Sequence, residues 1–181
     1  MKTFSLSARM LCLLLATSSL IPACSKHDPE PAPEPEPEVY VLTAPAYELT
    51  KAEIDAGNLT QNEGQVNYDI YLTYGDIYKF HIELSGTKHD GEVVDLTQPE
   101  EDAAGWYWYV EGIYRAKVLF EHYGRKSNPN VMAPGSTLYI KRLSEDSLDF
   151  EIRFKFVYKD GDGIVQPALE GSYKGTLKEI D

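Results

Sequence analysis

The strongest constraint on the fold is a two-residue alternation of apolar and polar side chains. Along residues 148–158 every second side chain is apolar, and those between them are almost all charged. Because successive side chains of a β-strand point to opposite faces of a sheet, this pattern predicts a strand with one buried face. Residues 66–74 and 78–84 alternate in the same way, and Gly75-Asp76 lies between them as a turn signal. These two segments predict an antiparallel hairpin.

Similar signals continue through the rest of the chain. Residues 138–141 alternate as well, residues 144–147 form the next turn, and residues 171–178 predict a closing strand. Evidence for a helix is confined to residues 50–53, which have capping-box spacing, and Gly57 limits such a helix to one or two turns. We therefore predict an all-β fold, an antiparallel sandwich or barrel with at most one short helix.

Residues 1–23 have the features of a bacterial lipoprotein signal peptide. Two basic residues precede an apolar run over residues 10–16, which is too short to span a bilayer. The segment ends in Ile21-Pro22-Ala23-Cys24, which resembles the lipobox of bacterial lipoproteins. That resemblance implies that Cys24 is acylated, becomes the mature N-terminus and anchors the protein to the membrane. The alternative is the signal peptide of a soluble exported protein, cleaved after Ala23.

Residues 24–38 predict an extended tether between the lipidated cysteine and a folded domain. Proline occupies every second position from 29 to 37, mostly alternating with glutamate. Proline opposes helix and sheet, so the run favours polyproline II and spans about 30 Å at about 3.1 Å per residue. Lys26 followed by acids resembles the surface-export signal of Bacteroidota lipoproteins, which implies a cell-surface location; without export the domain faces the periplasm. Residues 39–181 predict a single β-domain.

Composition excludes several functional classes. The formal net charge of -12 argues against nucleic-acid binding, which needs a basic surface. Of the two cysteines, Cys12 lies in the signal peptide and Cys24 carries the lipid, so we predict no disulfide framework. No metalloprotease, serine-hydrolase or phosphate-loop motif occurs in the sequence, so we expect neither a catalytic residue, nor a cofactor, nor a metal site. His81 falls on the polar side of its strand, where we expect it to be exposed.

Tyrosine is the dominant ring, with 13 Tyr against 6 Phe and 2 Trp. The densest cluster is Trp106-Tyr107-Trp108-Tyr109, which we take as the candidate ligand-binding segment. In a strand, Trp106 and Trp108 share one face, and Tyr107 and Tyr109 share the other. Exposed rings on a sheet would form a platform on which the sugar rings of a glycan stack. In the alternative interpretation, one face packs into the core and the other is an ordinary surface tyrosine pair.

Two short motifs have structural explanations beside functional ones. Asp160-Gly161-Asp162-Gly163 places carboxylates two residues apart on a glycine-rich loop, as calcium sites do, but a hairpin turn explains it equally. Asp146-Ser147-Leu148 resembles the acceptor motif for protein O-glycosylation in Bacteroidota. Neither motif identifies a ligand.

The whole layout resembles the small surface-exposed lipoproteins of Bacteroidota. The resemblance depends on the lipobox, the Lys/acid tether and the ending Gly171-Ser172-Tyr173-Lys174-Gly175. It implies outer-membrane attachment and an all-β domain, and it transfers no binding residue. We expect a non-catalytic role in binding a glycan, a protein partner or a nutrient. The alternatives are an accessory or structural subunit of an outer-membrane or fimbrial assembly, and a hydrolase with dispersed carboxylates.

Overall fold

The alternating segments form the strands that their pattern predicts. The computed structural model describes residues 41–43, 46–59, 65–100 and 107–180; the predicted signal peptide, Cys24 and the predicted tether lie outside them. In chain order the strands are β1 (Val41–Thr43), β2 (Ala46–Ile54), β3 (Asn67–Tyr74), β4 (Tyr78–Ser85), β5 (Val93–Asp95), β6 (Tyr109–Tyr114), β7 (Lys117–Tyr123), β8 (Thr137–Arg142), β9 (Asp149–Phe156), β10 (Leu169–Thr176) and β11 (Lys178–Glu179).

The strands form two sheets. The larger has the order β1-β2-β3-β4-β6-β7, and β11 joins it by parallel pairing with β2; the smaller has the order β10-β9-β8-β5. Every other strand pair is antiparallel. The described part of the chain has one short α-helix, α1 (Gly86–His89), and a 3₁₀ turn at Ala56–Leu59. The all-β prediction is therefore confirmed, and the architecture is a sandwich without a closed barrel.

Aromatic side chains pack between the two sheets. The Phe80 ring on β4 lies 5.1 Å from Phe154 and 5.7 Å from Phe156 on β9, centroid to centroid. Tyr68 meets Phe150 edge to face at 5.1 Å. All five of these side chains are buried, and burial of each such ring is worth about 1.5–3 kcal/mol. The apolar faces of the two alternating hairpins thus form one core.

A tight loop of three residues, 75–77, fixes the register of the β3–β4 hairpin. Gly75 and Asp76 have φ of 57° and 55°, and the Ile77 amide donates to the Tyr74 carbonyl at 3.1 Å. Positive φ at both central residues is the requirement of a type I′ turn, which glycine and aspartate tolerate. Tyr74 therefore lies opposite Tyr78, and the two strands pair residue by residue from there to Asn67, which lies opposite Ser85.

The short helix predicted at residues 50–53 is wrong, because these residues belong to β2. Their pairing with β3 overrides the capping-box spacing: Lys51 lies opposite Thr73, and Glu53 lies opposite Tyr71. A bulge at Thr50 lets its hydroxyl donate to the Thr73 carbonyl at 3.1 Å instead of capping a helix. Among the described residues, no helix combines the length and the apolar character needed to cross a bilayer.

Gly124 gives a test of the core packing around Trp108. A Cβ at Gly124 would lie 2.1 Å from the indole Nε1 of Trp108, which is fully buried. Gly124→Ala should therefore lower the free energy of unfolding by about 1–3 kcal/mol, as overpacking of a core does. Urea denaturation measures the change.

The matched control is Gly161→Ala, because a Cβ there meets nothing within 4 Å. This variant should stay within about 0.5 kcal/mol of the wild type. Equal stability of the two variants would contradict the packing described for Trp108.

Candidate functional site

The outer face of the larger sheet carries the densest group of polar and aromatic side chains. Cross-strand register arranges them in two rows: Tyr71, His81 and Glu111 lie opposite one another, as do Asp69, Glu83 and Tyr109. Lys51, Glu53, Thr73, Lys79 and Ile113 complete the face on the side nearer the turn. Directly opposed side chains on a sheet are close enough to interact, so the register alone brings these groups together.

His81 is the centre of this face. Its Nε2 lies 2.8 Å from Asp69 Oδ1 and 3.4 Å from Glu83 Oε1. Its ring stacks on Tyr71 with centroids 4.4 Å apart and planes 9° apart, and the Tyr109 ring meets it at 5.1 Å and 61°. The His81 side chain is 21% exposed and that of Asp69 13%, so the prediction that His81 is simply exposed is wrong.

The surrounding charges change the titration of this cluster. Burial lowers the pKa of His81, but the hydrogen bond to Asp69 and the negative charges of Asp69, Glu83 and Glu111 outweigh it, and the net pKa lies above the ordinary value. Burial raises the pKa of Glu83 against the opposing effect of His81. Burial, with the charge and hydrogen bond of Asp69, raises the pKa of Tyr71 to about 12. The cluster thus favours an imidazolium between carboxylates.

A groove of about 350 Å³ crosses the same face next to the stacked rings. The Tyr71 and His81 rings and the Ile113 side chain supply its less polar surface. Its charged lining is mixed and consists of Lys51, Lys79, Glu53, Asp76 and Glu111. Such a groove offers donors, acceptors and apolar contact to one small ligand.

The outer face of the smaller sheet differs in its exposure. Its charges form surface pairs, such as Lys155 Nζ with Glu170 Oε1 at 2.7 Å, with both side chains nearly half exposed. The Tyr139 ring there lies under the Arg153 guanidinium at 4.1 Å. Exposed pairs of this kind contribute little energy. The hollow beside Tyr139 and Arg153 has a volume of about 210 Å³ and is smaller than the groove on the larger sheet. We therefore place control substitutions on this face and do not treat it as a candidate site.

The structure separates the four residues of the candidate ligand-binding segment. Trp106 lies outside the described residues. Trp108 is fully buried, and its indole N–H donates to the Gln98 carbonyl at 3.1 Å, so the core alternative holds for it and it offers no stacking surface. Tyr107 and Tyr109 are half-buried; Tyr109 meets His81 on the outer face. Tyr107 contacts the Tyr123 ring at 6.2 Å.

Other sequence candidates have structural roles. Asp160 Oδ1 accepts hydrogen bonds from the Asp162 and Ile164 amides, so the loop at residues 160–163 is held as a turn. Ser147 donates to Asp149 Oδ2 at 2.8 Å. Glu100, which no sequence motif singled out, is half-buried, with Oε1 2.9 Å from His89 Nε2.

Sequence reasoning missed Asp69, Tyr71 and Glu83 as site residues. The Gly75-Asp76 signal predicted the hairpin but not its register: counting outward from those two residues pairs position 71 with 80, whereas the loop spans residues 75–77 and pairs 71 with 81. Lys51 and Glu53 were not expected on this face of the sheet, because the capping-box spacing of their segment favoured a helix.

No family model, no curated protein and no solved structure matches this chain, so the functional proposal depends on the geometry of the site.

The titration of His81 tests the cluster directly. We expect its pKa to lie above the ordinary 6.5 and to fall in Asp69→Asn, which removes the closest negative charge. Asp95→Asn, far along the chain on β5, should leave it unchanged. NMR titration of the His81 ring proton in metal-free buffer measures all three values.

The raised pKa of His81 also makes the stability of the fold depend on pH. A raised folded-state pKa means that protonated His81 stabilises the fold fully below about pH 6.5, and this contribution is lost as the pH rises through the folded-state pKa. The stability advantage of the wild type over His81→Gln should therefore shrink above pH 6.5. A His81 pKa at or below 6.5, or one insensitive to Asp69→Asn, would contradict the cluster.

Proposed function

We propose that this chain is a lipid-anchored outer-membrane domain that binds a glycan, without catalysis, in the groove on the outer face of its larger sheet. Cys24 would carry the lipid, and residues 24–38 would hold the domain off the membrane. The observation that carries the proposal is the combination in one groove of stacked rings, an aliphatic side chain and charges of both signs.

The chemistry of the groove fits a polyhydroxylated ligand. Sugar hydroxyls both donate and accept hydrogen bonds, and sugar rings also present C–H groups. Glu53 and Glu111 supply acceptors, Lys51 and Lys79 supply donors, and Ile113 with the neighbouring rings supplies apolar contact. A volume of about 350 Å³ lies at the lower end of the range for small-molecule sites, which favours one or two sugar units over a protein surface.

A glycan array followed by calorimetry with the best ligand tests this proposal. Lys79→Ala and Glu111→Gln each remove a polar contact from the groove and should weaken binding at least tenfold. Tyr139→Ala, on the outer face of the smaller sheet, is the matched control and should change the affinity less than twofold. An array without binding, or affinity unchanged in both groove variants, would overturn the proposal.

The anchor is supported by the lipobox resemblance at residues 21–24 and by the proline-glutamate tether that follows it. Metabolic labelling with an alkyne fatty acid should mark the wild-type protein and not Cys24→Ser. Protease added to intact cells should degrade a surface-exposed protein and spare one that faces the periplasm. Labelling that survives Cys24→Ser would contradict the anchor.

The hydrolase alternative has one specific observation in its favour. Ligand oxygens of Asp69 and Glu83 lie within 4.8 Å of each other, and the pKa of Glu83 is raised by burial, as for a general acid. However, His81 Nε2 lies within 3.4 Å of both carboxylates, and neither carboxylate lines the groove. Binding is therefore the better supported function. Release of reducing ends from the bound glycan, abolished in Glu83→Gln, would establish hydrolysis instead.

The accessory-subunit alternative depends on an open strand edge. In the described part of the chain, β7 pairs with β6 on one side and, on the other, only through the isolated bridge from Tyr123 to Asn130. Lys117 and Glu121 are exposed on this strand, and such charges discourage edge-to-edge association. Pulldown from detergent-solubilised membranes distinguishes the two functions, because an accessory subunit would bring a stable partner with it.

A further inference from the structure

Two uncharged polar side chains are buried beside the Asp69–Glu83 pair without hydrogen-bond partners. Asn67 is 2% exposed and Ser85 is 1% exposed, and neither Asn67 Oδ1 nor Ser85 Oγ has a partner in the structure. A buried polar atom left without a partner costs about 1–3 kcal/mol, so native proteins contain few of them.

The register places these oxygens directly beside the His81 cluster. Asn67 lies opposite Ser85, and the next outward-facing pair along the same two strands is Asp69 opposite Glu83. Positions two apart on a strand share a face, so all four side chains and His81 point to the outer face of the larger sheet. The Asn67–Ser85 pair is therefore the next same-face pair along the hairpin from Asp69 and Glu83, on the side away from His81.

The charged members of this group have the geometry of a metal site. Asp69, His81 and Glu83 each offer a ligand atom, and these atoms lie within 4.8 Å of one another. Ligands bonded to a tetrahedral ion at about 2.0–2.1 Å are about 3.3 Å apart. The separation between His81 Nε2 and Glu83 Oε1 is 3.4 Å, and that between Nε2 and Asp69 Oδ1 is 2.8 Å, so small side-chain movements suffice.

We infer that Asp69, His81 and Glu83 form a site for a divalent cation of the Zn²⁺ class, with the buried polar pair Asn67 and Ser85 next along the hairpin. Two carboxylates balance the charge of a divalent ion, and the imidazole nitrogen favours Zn²⁺ or a related transition metal over Ca²⁺, which prefers oxygen ligands alone. The ion would take the place of the direct hydrogen bond between His81 Nε2 and Asp69 Oδ1. This proposal departs from the expectation from sequence that the chain has no metal site.

The cation site is separable from the glycan proposal. Asp69 and Glu83 do not line the groove, whereas Lys79 and Glu111 line the groove and are not ligands. His81 belongs to both, because its ring borders the groove and its Nε2 faces the carboxylates. A failure of either proposal is thus visible in its own set of variants.

Calorimetry with ZnCl₂ on the metal-stripped chain tests the inference, in a Cys12→Ser/Cys24→Ser background that removes both competing thiols. We expect one equivalent of Zn²⁺ to bind at this site. Asp69→Asn and Glu83→Gln should each weaken binding at least tenfold, and Asn67→Ala should weaken it by a smaller factor. The matched control is Glu151→Gln on the outer face of the smaller sheet, which should leave the affinity unchanged.

A second measurement uses the unaltered site, so that a folding defect in Asp69→Asn does not decide the outcome. Co²⁺ in place of Zn²⁺ should shift the NMR resonances of Tyr71, His81 and Tyr109 and leave those of Tyr139 and Arg153 in place. Absence of saturable Zn²⁺ binding, or Co²⁺ shifts centred on another histidine, would overturn the inference. Binding equal in Asp69→Asn, Glu83→Gln and the wild type would overturn it as well.

Discussion

Packing of aromatic rings between the two sheets is the interaction on which the rest of the structure depends. Phe80 from the larger sheet contacts Phe154 and Phe156 from the smaller, and Phe120 contacts Phe156 at 5.7 Å. Since side chains alternate along each strand, turning these rings inward forces the intervening polar residues outward. The composition of the outer face therefore follows from the requirement for a core.

The two outer faces differ in how far their charged side chains are exposed to water. On the smaller sheet the charges form exposed pairs, such as Lys155 with Glu170, that are solvated and weak. On the larger sheet His81 is flanked by Tyr71 and Tyr109 and held between carboxylates, so its charge is partly withdrawn from water. Partly buried groups with shifted pKa values, next to a groove, are typical of functional sites. The glycan and cation proposals both start from this difference.

Much of the fold could be predicted from local pattern, and the site could not. Alternation over residues 66–84 and a Gly-Asp turn determine the β3–β4 hairpin, because both signals lie within a few residues of each other. The β2 strand was obscured because a capping-box spacing at Thr50 competes with pairing that only the tertiary structure supplies. Trp108 and Tyr109 alternate in sequence, but which of them faces the core depends on the sheet packed against them.

The site itself depends on contacts between strands. Asp69 and His81 are 12 positions apart, and only the register of the hairpin makes them neighbours at 2.8 Å. Glu111 reaches the same row through β6, whose pairing with β4 skips β5 and could not be read from the sequence. The sequence places His81 on the polar side of its strand, but the half-burial of His81 and the identity of its partners follow only from the tertiary structure.

The most direct test of the central claim is to map ligand contact on the two sheets by NMR. The amide spectrum of the labelled protein would be recorded during titration with a glycan that the protein binds. The account predicts shifts in residues of β2, β3, β4 and β6 around Thr73, Lys79 and Ile113, with the amides of β8 and β9 unchanged. Shifts confined to the smaller sheet or to the loops would contradict it.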